Sequence, residues 1–305
     1  MSNSFFELSG TPKVIAKNSE MEFKAIVSAS EGTIRDLIYK PDVLKNSDEH
    51  PRYKVKSNTF LNVSFAKTKL RNIDFTSCHF ENCLFFGSTL DNCQFHRCSF
   101  KNVNTYQIVI KSTYIDPISF KNNYDKRDIE KSNMAVHLFQ QLLNNSRDDE
   151  QSEFARKANY YFRKWEGRLT RSKFFKSQPY KINFQTFVTE YLPNFLFRWI
   201  FGYGLRLRSF MATFLFIYGL FYLANLNYWN EYGFHEKDFA IASFNSDNIS
   251  PIANIFFTAD AMTQLVDSQF QPQTNFGMYM LTFQGFTGFI LLSFLVTVLI
   301  NRFVK

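Results

Sequence analysis

The most informative stretch of the chain is Phe75–Phe100, which reads FTSCHFENCLFFGSTLDNCQFHRCSF. An aromatic residue or a leucine returns every five residues, at Phe75, Phe80, Phe85, Leu90, Phe95 and Phe100. A period of five matches neither the 3.6 residues of a helical turn nor the two-residue alternation of a β-strand. The repeat therefore belongs to a larger architecture and not to a single helix or strand.

The same period extends in both directions. Every fifth residue from Phe60 to Phe120 is apolar except Thr105, and a second column two residues before each centre is mostly small or β-branched. The remaining positions are rich in Asn, Lys, Arg, Ser and Asp. Two inward columns and three outward ones describe a chain wound into a narrow coil.

In these residues the chain resembles the pentapeptide-repeat proteins, whose repeats form a right-handed, square β-helix with one repeat on each face. The resemblance covers residues 58–120 and implies four repeats per coil, hence about three coils that rise about 15 Å. An open end of such a coil is a sheet edge that invites aggregation. We therefore expect residues 1–57 to cap the repeat domain, 58–124, at one end and the following helices to cap the other.

The chain has four cysteines, Cys78, Cys83, Cys93 and Cys98. Their spacing, with His79 and His96 nearby, raises a zinc site as an alternative, but zinc sites favour cysteine pairs separated by two to four residues. All four thiols fall in the inward column of small residues. The sequence therefore predicts buried structural thiols, reduced in the cytosol, and it implies no metal and no cofactor.

Residues 125–178 are predicted to form a cytosolic helical hairpin, because apolar residues recur there at spacings of three and four. Its second half, RKWEGRLTRSKFFK, is basic and aromatic, and residues 179–208 continue it as an interfacial segment in which Pro193 is expected to break the helix. The candidate lipid-interface residues are Arg163, Lys164, Trp165, Arg168, Arg171, Trp199, Arg206 and Arg208. A solvated basic face is the alternative, and we expect no nucleic-acid partner.

Two uncharged runs, Ser209–Asn230 and Met278–Ile300, are each long enough to cross a bilayer as a helix. The charge changes sign at the same place. Through position 208 the chain has 32 basic and 21 acidic residues, and after it 3 basic and 6 acidic. The positive-inside rule then places both termini in the cytoplasm, and no cleavable signal peptide is visible. The predicted location is a bacterial inner membrane.

The segment between the two runs contains a strong helix start at Ser250-Pro251, followed by PIANIFFTADAMTQL and an extended polar stretch. This order of elements, in a module spanning 209–305 with a re-entrant loop at 250–275, resembles two-transmembrane potassium-channel-like subunits. The segments FARKANYYFRKWEGRL and GYGLRLRSFMATFLFIYGLFYL add to the resemblance. It implies a homo-oligomer, with four copies as in that family.

One departure from the channel family concerns its T-x-G-[YF]-G-D filter, whose glycines let backbone carbonyls face the ion. The corresponding pore residues here are Thr263, Gln264, Leu265, Val266, Asp267, Ser268 and Gln269, without one glycine. Potassium selectivity is therefore not implied. A ring of Asp267 carboxylates would favour cations, and a solvated loop acid is the alternative reading of the same residue.

The second predicted membrane helix carries two stripes of polar and small residues. Thr282, Ser293 and Thr297 lie on one stripe, and Gln284 and Gly288 lie on the opposite one. One stripe is expected to line a pore and the other to pack on a neighbouring helix. The sequence does not say which.

The leading hypothesis is a cation-permeable pore gated by the cytosolic repeat domain, which would respond to a protein or ligand partner. Such a pore would serve ion homeostasis or act as a membrane-depolarising effector, and the sequence does not choose between these roles. The alternative is a non-conducting, membrane-anchored scaffold or sensor. The sequence shows no glycine-rich phosphate loop, no G-x-S-x-G and no histidine pair at metal spacing, so we do not expect an enzyme.

Overall fold

The structure is a computed structural model that describes residues 8, 10–15, 19–30, 32–39, 43–45, 52–124, 129–175, 181–204, 207–234, 251–264 and 270–303. These residues include seven α-helices and fifteen strands. The chain divides into two compact units, Met1–Phe195 and Leu196–Lys305.

The first unit is a β-solenoid of about four turns. Its strands are β1 (Lys13–Ile15), β2 (Thr33–Tyr39), β3 (Val43–Lys45), β4 (Tyr53–Lys56), β5 (Thr59–Ser64), β6 (Lys69–Arg71), β7 (Ile73–Thr76), β8 (His79–Glu81), β9 (Thr89–Asp91), β10 (Gln94–His96), β11 (Ser99–Lys101), β12 (Val109–Lys111) and β13 (Tyr114–Ile115). They pair in parallel in three sheets, ordered β1-β2-β5-β8-β11, β4-β7-β10-β13 and β3-β6-β9-β12. Isolated bridges join Ser64, Leu84 and Asn104 on a fourth face.

Paired residues in the regular turns are twenty positions apart, as in the register Phe60↔Phe80↔Phe100, so four five-residue repeats complete one turn. The solenoid is about one turn longer than the sequence predicts, because β2, β3 and β4 stack beneath β5, β6 and β7. In this first turn the spacing from Thr33 to its partner Thr59 is 26 residues. The longer spacing interrupts the five-residue period, so the sequence pattern does not predict this turn.

The predicted inward columns are confirmed by burial. Every centre from Phe60 to Phe120 is buried, and the second column is buried except at Ile118, which is 44% exposed in the 3₁₀ turn Pro117–Phe120. The rings of Phe60, Phe80 and Phe100 stack nearly parallel from turn to turn, with centroid distances of 4.8 and 4.9 Å. Stacked rings supply the apolar contact area that a coil this narrow needs.

The corners of the solenoid recur with the same period of five. From Phe60 to Ile110 the residue two positions after each centre has a positive φ, and asparagine occupies five of these corners: Asn62, Asn72, Asn82, Asn92 and Asn102. Asparagine tolerates the left-handed conformation better than most side chains. Its amides also form ladders, in which Asn102 donates to Asn82 at 3.1 Å and Asn82 donates to Asn62 at 3.0 Å.

Helices pack on the solenoid. Helix α1 (Ser19–Ala29) places Phe23 against Tyr39, Tyr53 and Phe60. The hairpin of α2 (Ile129–Asp148) and α3 (Ser152–Phe175) shares one hydrophobic core with the inward columns.

At one end of the solenoid, two buried asparagine amides make the backbone hydrogen bonds that a further strand would otherwise make. The Asn145 amide of α2 donates to the carbonyl of Thr113 at 2.7 Å and accepts from its N–H at 3.0 Å. Asn123 makes the same pair of bonds with the backbone of Val103, at 2.8 and 2.7 Å. Each amide satisfies backbone groups that would otherwise be buried without partners.

Helix α4 (Phe184–Phe201) runs through Pro193, so the prediction that this proline breaks the helix is wrong. The next residue explains the continuity. The Asn194 amide donates to the carbonyl of Arg163 at 3.2 Å, and its side chain lies where a Cβ on Gly167 would stand. This contact holds the helix against α3 one residue past the proline and offsets part of the cost of the hydrogen bond that the proline lacks. The helical run ends instead at the 3₁₀ turn Gly202–Gly204, where Tyr203 has a φ of 59°.

The second unit contains α5 (Leu207–Asn227), β14 (Tyr232–Phe234), α6 (Pro251–Thr263), β15 (Phe270–Pro272) and α7 (Asn275–Phe303). Helices α5 and α7 are long and apolar enough to cross a membrane, and each begins two or three residues before its predicted run. The predicted helix at Pro251 is confirmed and makes about three and a half turns.

Candidate functional site

Helix α6 packs on both apolar helices and approaches α7 with almost no space between the backbones. A Cβ on Gly288 would lie 1.7 Å from the carbonyl oxygen of Met262, near the last turn of α6. Only glycine permits this approach. Gly288 is 13 residues from Asn275, the first residue of α7, or about 20 Å along that helix. The end of α6 therefore lies beside the middle of the apolar span Asn275–Ile300.

The segments on either side of α6 meet at the start of α7. Strands β14 and β15 pair antiparallel, and the N–H of Gln273 donates to the carbonyl of Glu231 at 2.8 Å. The Thr274 hydroxyl bonds the Glu231 carboxylate and accepts from the N–H of Gly277 at 3.1 Å, which caps α7. Helix α6 thus lies along α7, and from Phe270 onward the chain is again beside the first turn of α7.

A buried polar network joins the three helices of this unit. The side-chain amides of Asn225 in α5 and Gln284 in α7 bond each other at 2.6 and 3.2 Å, and Asn225 also donates to the Thr258 hydroxyl of α6 at 2.9 Å. Asn254 of α6 donates to the carbonyl of Tyr222 at 3.0 Å. Asn225, Thr258, Gln284 and Asn254 are all fully buried. Buried hydrogen bonds between apolar helices fix the arrangement of those helices.

This network answers which stripe of α7 packs within the chain. Gln284 and Gly288 face α5 and α6, whereas the opposite stripe of Thr282, Ser293 and Thr297 is exposed. The three hydroxyls donate to the carbonyls four residues earlier, at 2.8, 2.8 and 3.1 Å. Each hydroxyl therefore has its hydrogen-bond acceptor within α7, although the stripe itself is exposed.

The predicted pore residues begin where α6 ends. Thr263 is its last residue, and the Thr263 hydroxyl donates to the carbonyl of Ala259 at 2.6 Å. Gln264 is exposed and takes a left-handed φ of 52°, while its N–H donates to the carbonyl of Asp260 at 2.7 Å. The other predicted pore residues lie outside the described residues: Leu265, Val266, Asp267, Ser268 and Gln269.

Of the predicted lipid-interface residues, Trp165 is the correction. It is only 3% exposed and packs edge-to-face on Tyr124 at 5.8 Å, because it lies on the face of α3 that joins the solenoid core. It does not present its ring to lipid. The neighbouring Arg168 covers it from outside, with its guanidinium 4.5 Å from the ring centroid.

The other basic residues of α3 lie nearer the surface. Arg163 pairs with Glu166 at 3.1 Å, Lys164 lies over the Tyr161 ring, and Arg171 is exposed beside Phe175. Arg208 is exposed in the first turn of α5; the side chain of Trp199 and all of Arg206 lie outside the described residues.

The four cysteines are free, buried thiols in the inward column, and each donates to a backbone carbonyl one turn away at 3.3 to 3.5 Å. Burial raises the pKa of Cys83 to about 12 and that of Cys93 to about 11. The hydrogen bond with Cys78 and burial raise the pKa of Cys98 as well. Within the described residues, no three His, Cys, Asp or Glu side chains are placed to hold a metal ion.

Neither a known protein family nor any single curated protein matches this chain. A functional assignment therefore rests on the residues and contacts above.

Proposed function

We propose that this chain is one subunit of an oligomeric, cation-permeable pore in a bacterial inner membrane. The observation that carries the proposal is the position of α6, whose last turn lies beside Gly288, halfway along the apolar span of α7. If α7 crosses the bilayer, the chain leaves α6 at about mid-depth, where lipid offers backbone groups no hydrogen bonds. Further copies of the chain, arranged around water, would shelter this end of the helix.

The charge of this helix end favours cations. The C-terminus of an α-helix carries about half a negative charge, and symmetric copies would aim several such ends at one axis. Carboxylates of Asp267, which follows α6 in the sequence, would add to that field. Because the glycines of a potassium filter are missing from residues 263–268, the pore is proposed to pass cations without selecting potassium.

The buried amide network gives the module a fixed framework. Asn225, Thr258 and Gln284 tie α6 to both membrane-crossing helices, so α6 would move only if these bonds were exchanged. The exposed hydroxyls of Thr282, Ser293 and Thr297 lie on the side of α7 opposite α6, and each is already bonded to its own helix. This stripe is therefore proposed to pack on a neighbouring copy, while the ends of α6 face the axis.

The first unit is proposed to be a right-handed pentapeptide-repeat β-helix on the cytosolic side, together with both chain termini. The four-repeat turn and the burial of both inward columns support the family resemblance. In this proposal the solenoid and its hairpin sense a cytosolic signal, and the homo-oligomer, by resemblance a tetramer, opens in response.

Planar-bilayer recording of the purified full-length protein tests this function. We expect a current whose reversal potential under a salt gradient reports cation preference, and a weaker preference in Asp267→Asn. Asp238→Asn, which changes another acid between the two apolar helices, is the matched control and should conduct like the wild type. If oligomers with a sealed axis pass no current, and partner binding survives Asp267→Ala and Gln264→Ala, the chain is a membrane-anchored scaffold.

A further inference from the structure

A groove of about 530 Å³ lies in the first unit, between one corner of the solenoid and α3. Its solenoid side includes His96, Arg97 and Tyr114, and the helix side includes Glu153, Phe154 and Lys157. The volume is typical of small-molecule sites. No step of the proposed permeation uses this groove.

One wall of the groove is aromatic. The ring of Tyr114 lies 4.8 Å from that of His96 and 5.0 Å from that of Phe154, measured between centroids. Tyr114 remains 39% exposed, although an aromatic side chain of this size is usually more deeply covered. The wall therefore leaves part of the Tyr114 ring accessible to the planar ring of a ligand.

The polar part of the groove contains both signs of charge. Lys157 donates to Asp116 Oδ2 at 3.1 Å and to Glu153 Oε1 at 2.8 Å. Burial opposes its charge, but the hydrogen bonds to Glu153 and Asp116 outweigh that effect and raise the pKa of Lys157, so the ammonium stays charged. Glu153 stands at the rim with its side chain 65% exposed.

The fourth charged group is Arg97, at a solenoid corner. Its side chain is exposed and makes no hydrogen bond or ion pair with any residue that the structure describes. A guanidinium left open in a concave site is suited to bind a carboxylate in a bidentate manner. Arg97 is thus the free cation of the groove, whereas Lys157 is already engaged.

The balance of charge selects the ligand. Arg97 and Lys157 balance the carboxylates of Asp116 and Glu153, so these four side chains offer no net field for a polyanion such as a nucleotide. A ligand with one charge of each sign and a ring matches every feature. We propose that the groove binds a free aromatic amino acid, with its carboxylate on Arg97, its ammonium on Glu153 and its ring against Tyr114.

The site also suggests what binding does, a role that rests on the proposed pore. The Asp116–Lys157 ion pair ties the end of the solenoid to α3, the second helix of the hairpin. A ligand ammonium at Glu153 competes with Lys157 for the Glu153 carboxylate. Lys157 then changes its position, and with it the Asp116–Lys157 ion pair changes. Because α4 connects α3 to the second unit in the chain, a shift of α3 can reach the membrane helices and act as a gating signal.

Isothermal titration of the purified full-length protein in detergent tests the site with defined probes. We expect L-tryptophan to bind, and tryptamine and indole-3-propionate to bind at least tenfold more weakly, because each lacks one of the two charges. Tighter binding of adenosine monophosphate than of tryptophan would overturn the proposal. So would equal binding of the three indole probes, or no heat with any of them at millimolar concentration.

Variants assign the contacts. Arg97→Gln should abolish the preference for tryptophan over tryptamine, whereas Lys111→Gln, an exposed lysine outside the groove, should leave it unchanged. Tyr114→Ala should weaken binding at least tenfold and Tyr114→Phe less than threefold. If Arg97→Gln keeps the preference, the proposed carboxylate contact is wrong. Binding without any current would refute the pore alone, and current without binding would refute the groove alone.

Discussion

Replacing Gly288 by alanine changes the closest contact between α6 and α7. The new Cβ would lie 1.7 Å from the Met262 carbonyl oxygen and 2.5 Å from its carbon. An ordinary contact needs about 3.4 Å or more, so the two helices must separate by about 1.7 Å. Because the opposing atoms are backbone, no side-chain rotation relieves the clash. Overpacking costs about 1–3 kcal/mol, against a gain of about 1 kcal/mol in helix propensity, so the net loss is up to about 2 kcal/mol.

The matched control is Gly285→Ala, one turn away on the same helix. Its Cβ would lie 3.6 Å from the Ala261 carbonyl oxygen, an ordinary contact, so only the propensity gain applies. The melting temperature of the detergent-solubilised protein, followed by size-exclusion fluorescence, should fall by several degrees for Gly288→Ala and stay equal or rise for Gly285→Ala. If the two variants melt alike, α6 does not pack on α7 as described.

Four further predictions concern the two cores. Asn145→Ala should cost about 2–4 kcal/mol in urea unfolding, because it leaves two backbone groups of the last solenoid turn unpaired; Asn144→Ala, on the exposed side, should stay within about 0.5 kcal/mol. Cys83 and Cys93 should resist iodoacetamide at pH 8 in the folded protein, and rapid labelling would contradict their burial. Since their folded pKa values of about 12 and 11 exceed the usual 9, their contribution to stability is complete below pH 9 and should be lost toward pH 11–12 in an alkaline titration. Gln284→Leu should lower the melting temperature through a loss of about 1 kcal/mol, and an unchanged value would show that its amide pair is not formed.

The repeat domain is the part that sequence reasoning predicts best. Its period of five sets which side chains point inward without reference to any distant residue, so burial from Phe60 onward follows directly. The first turn is not predicted, because its longer connections interrupt the period. The asparagine corners, such as Asn82 and Asn102, follow the same five-residue register and could have been predicted from it.

Contacts between distant residues set the limit of prediction. Asn225 bonds residues 33 and 59 positions away in the chain, and no local pattern announces such partners; the only available signal was a polar side chain in an apolar run. The basic neighbours of Trp165 predict a lipid contact, but packing on the solenoid core determines which face of α3 is covered. The chemistry of Pro193 alone predicts a helix break, because the contact that Asn194 makes with α3 is not visible in the sequence.

Single-particle images of the full-length protein in lipid nanodiscs would show whether copies of the chain surround an axial opening. We expect a symmetric ring of copies, with an opening on the axis framed by the ends of α6 near mid-bilayer. A monomer, or an α6 that lies wholly outside the lipid layer, would contradict it.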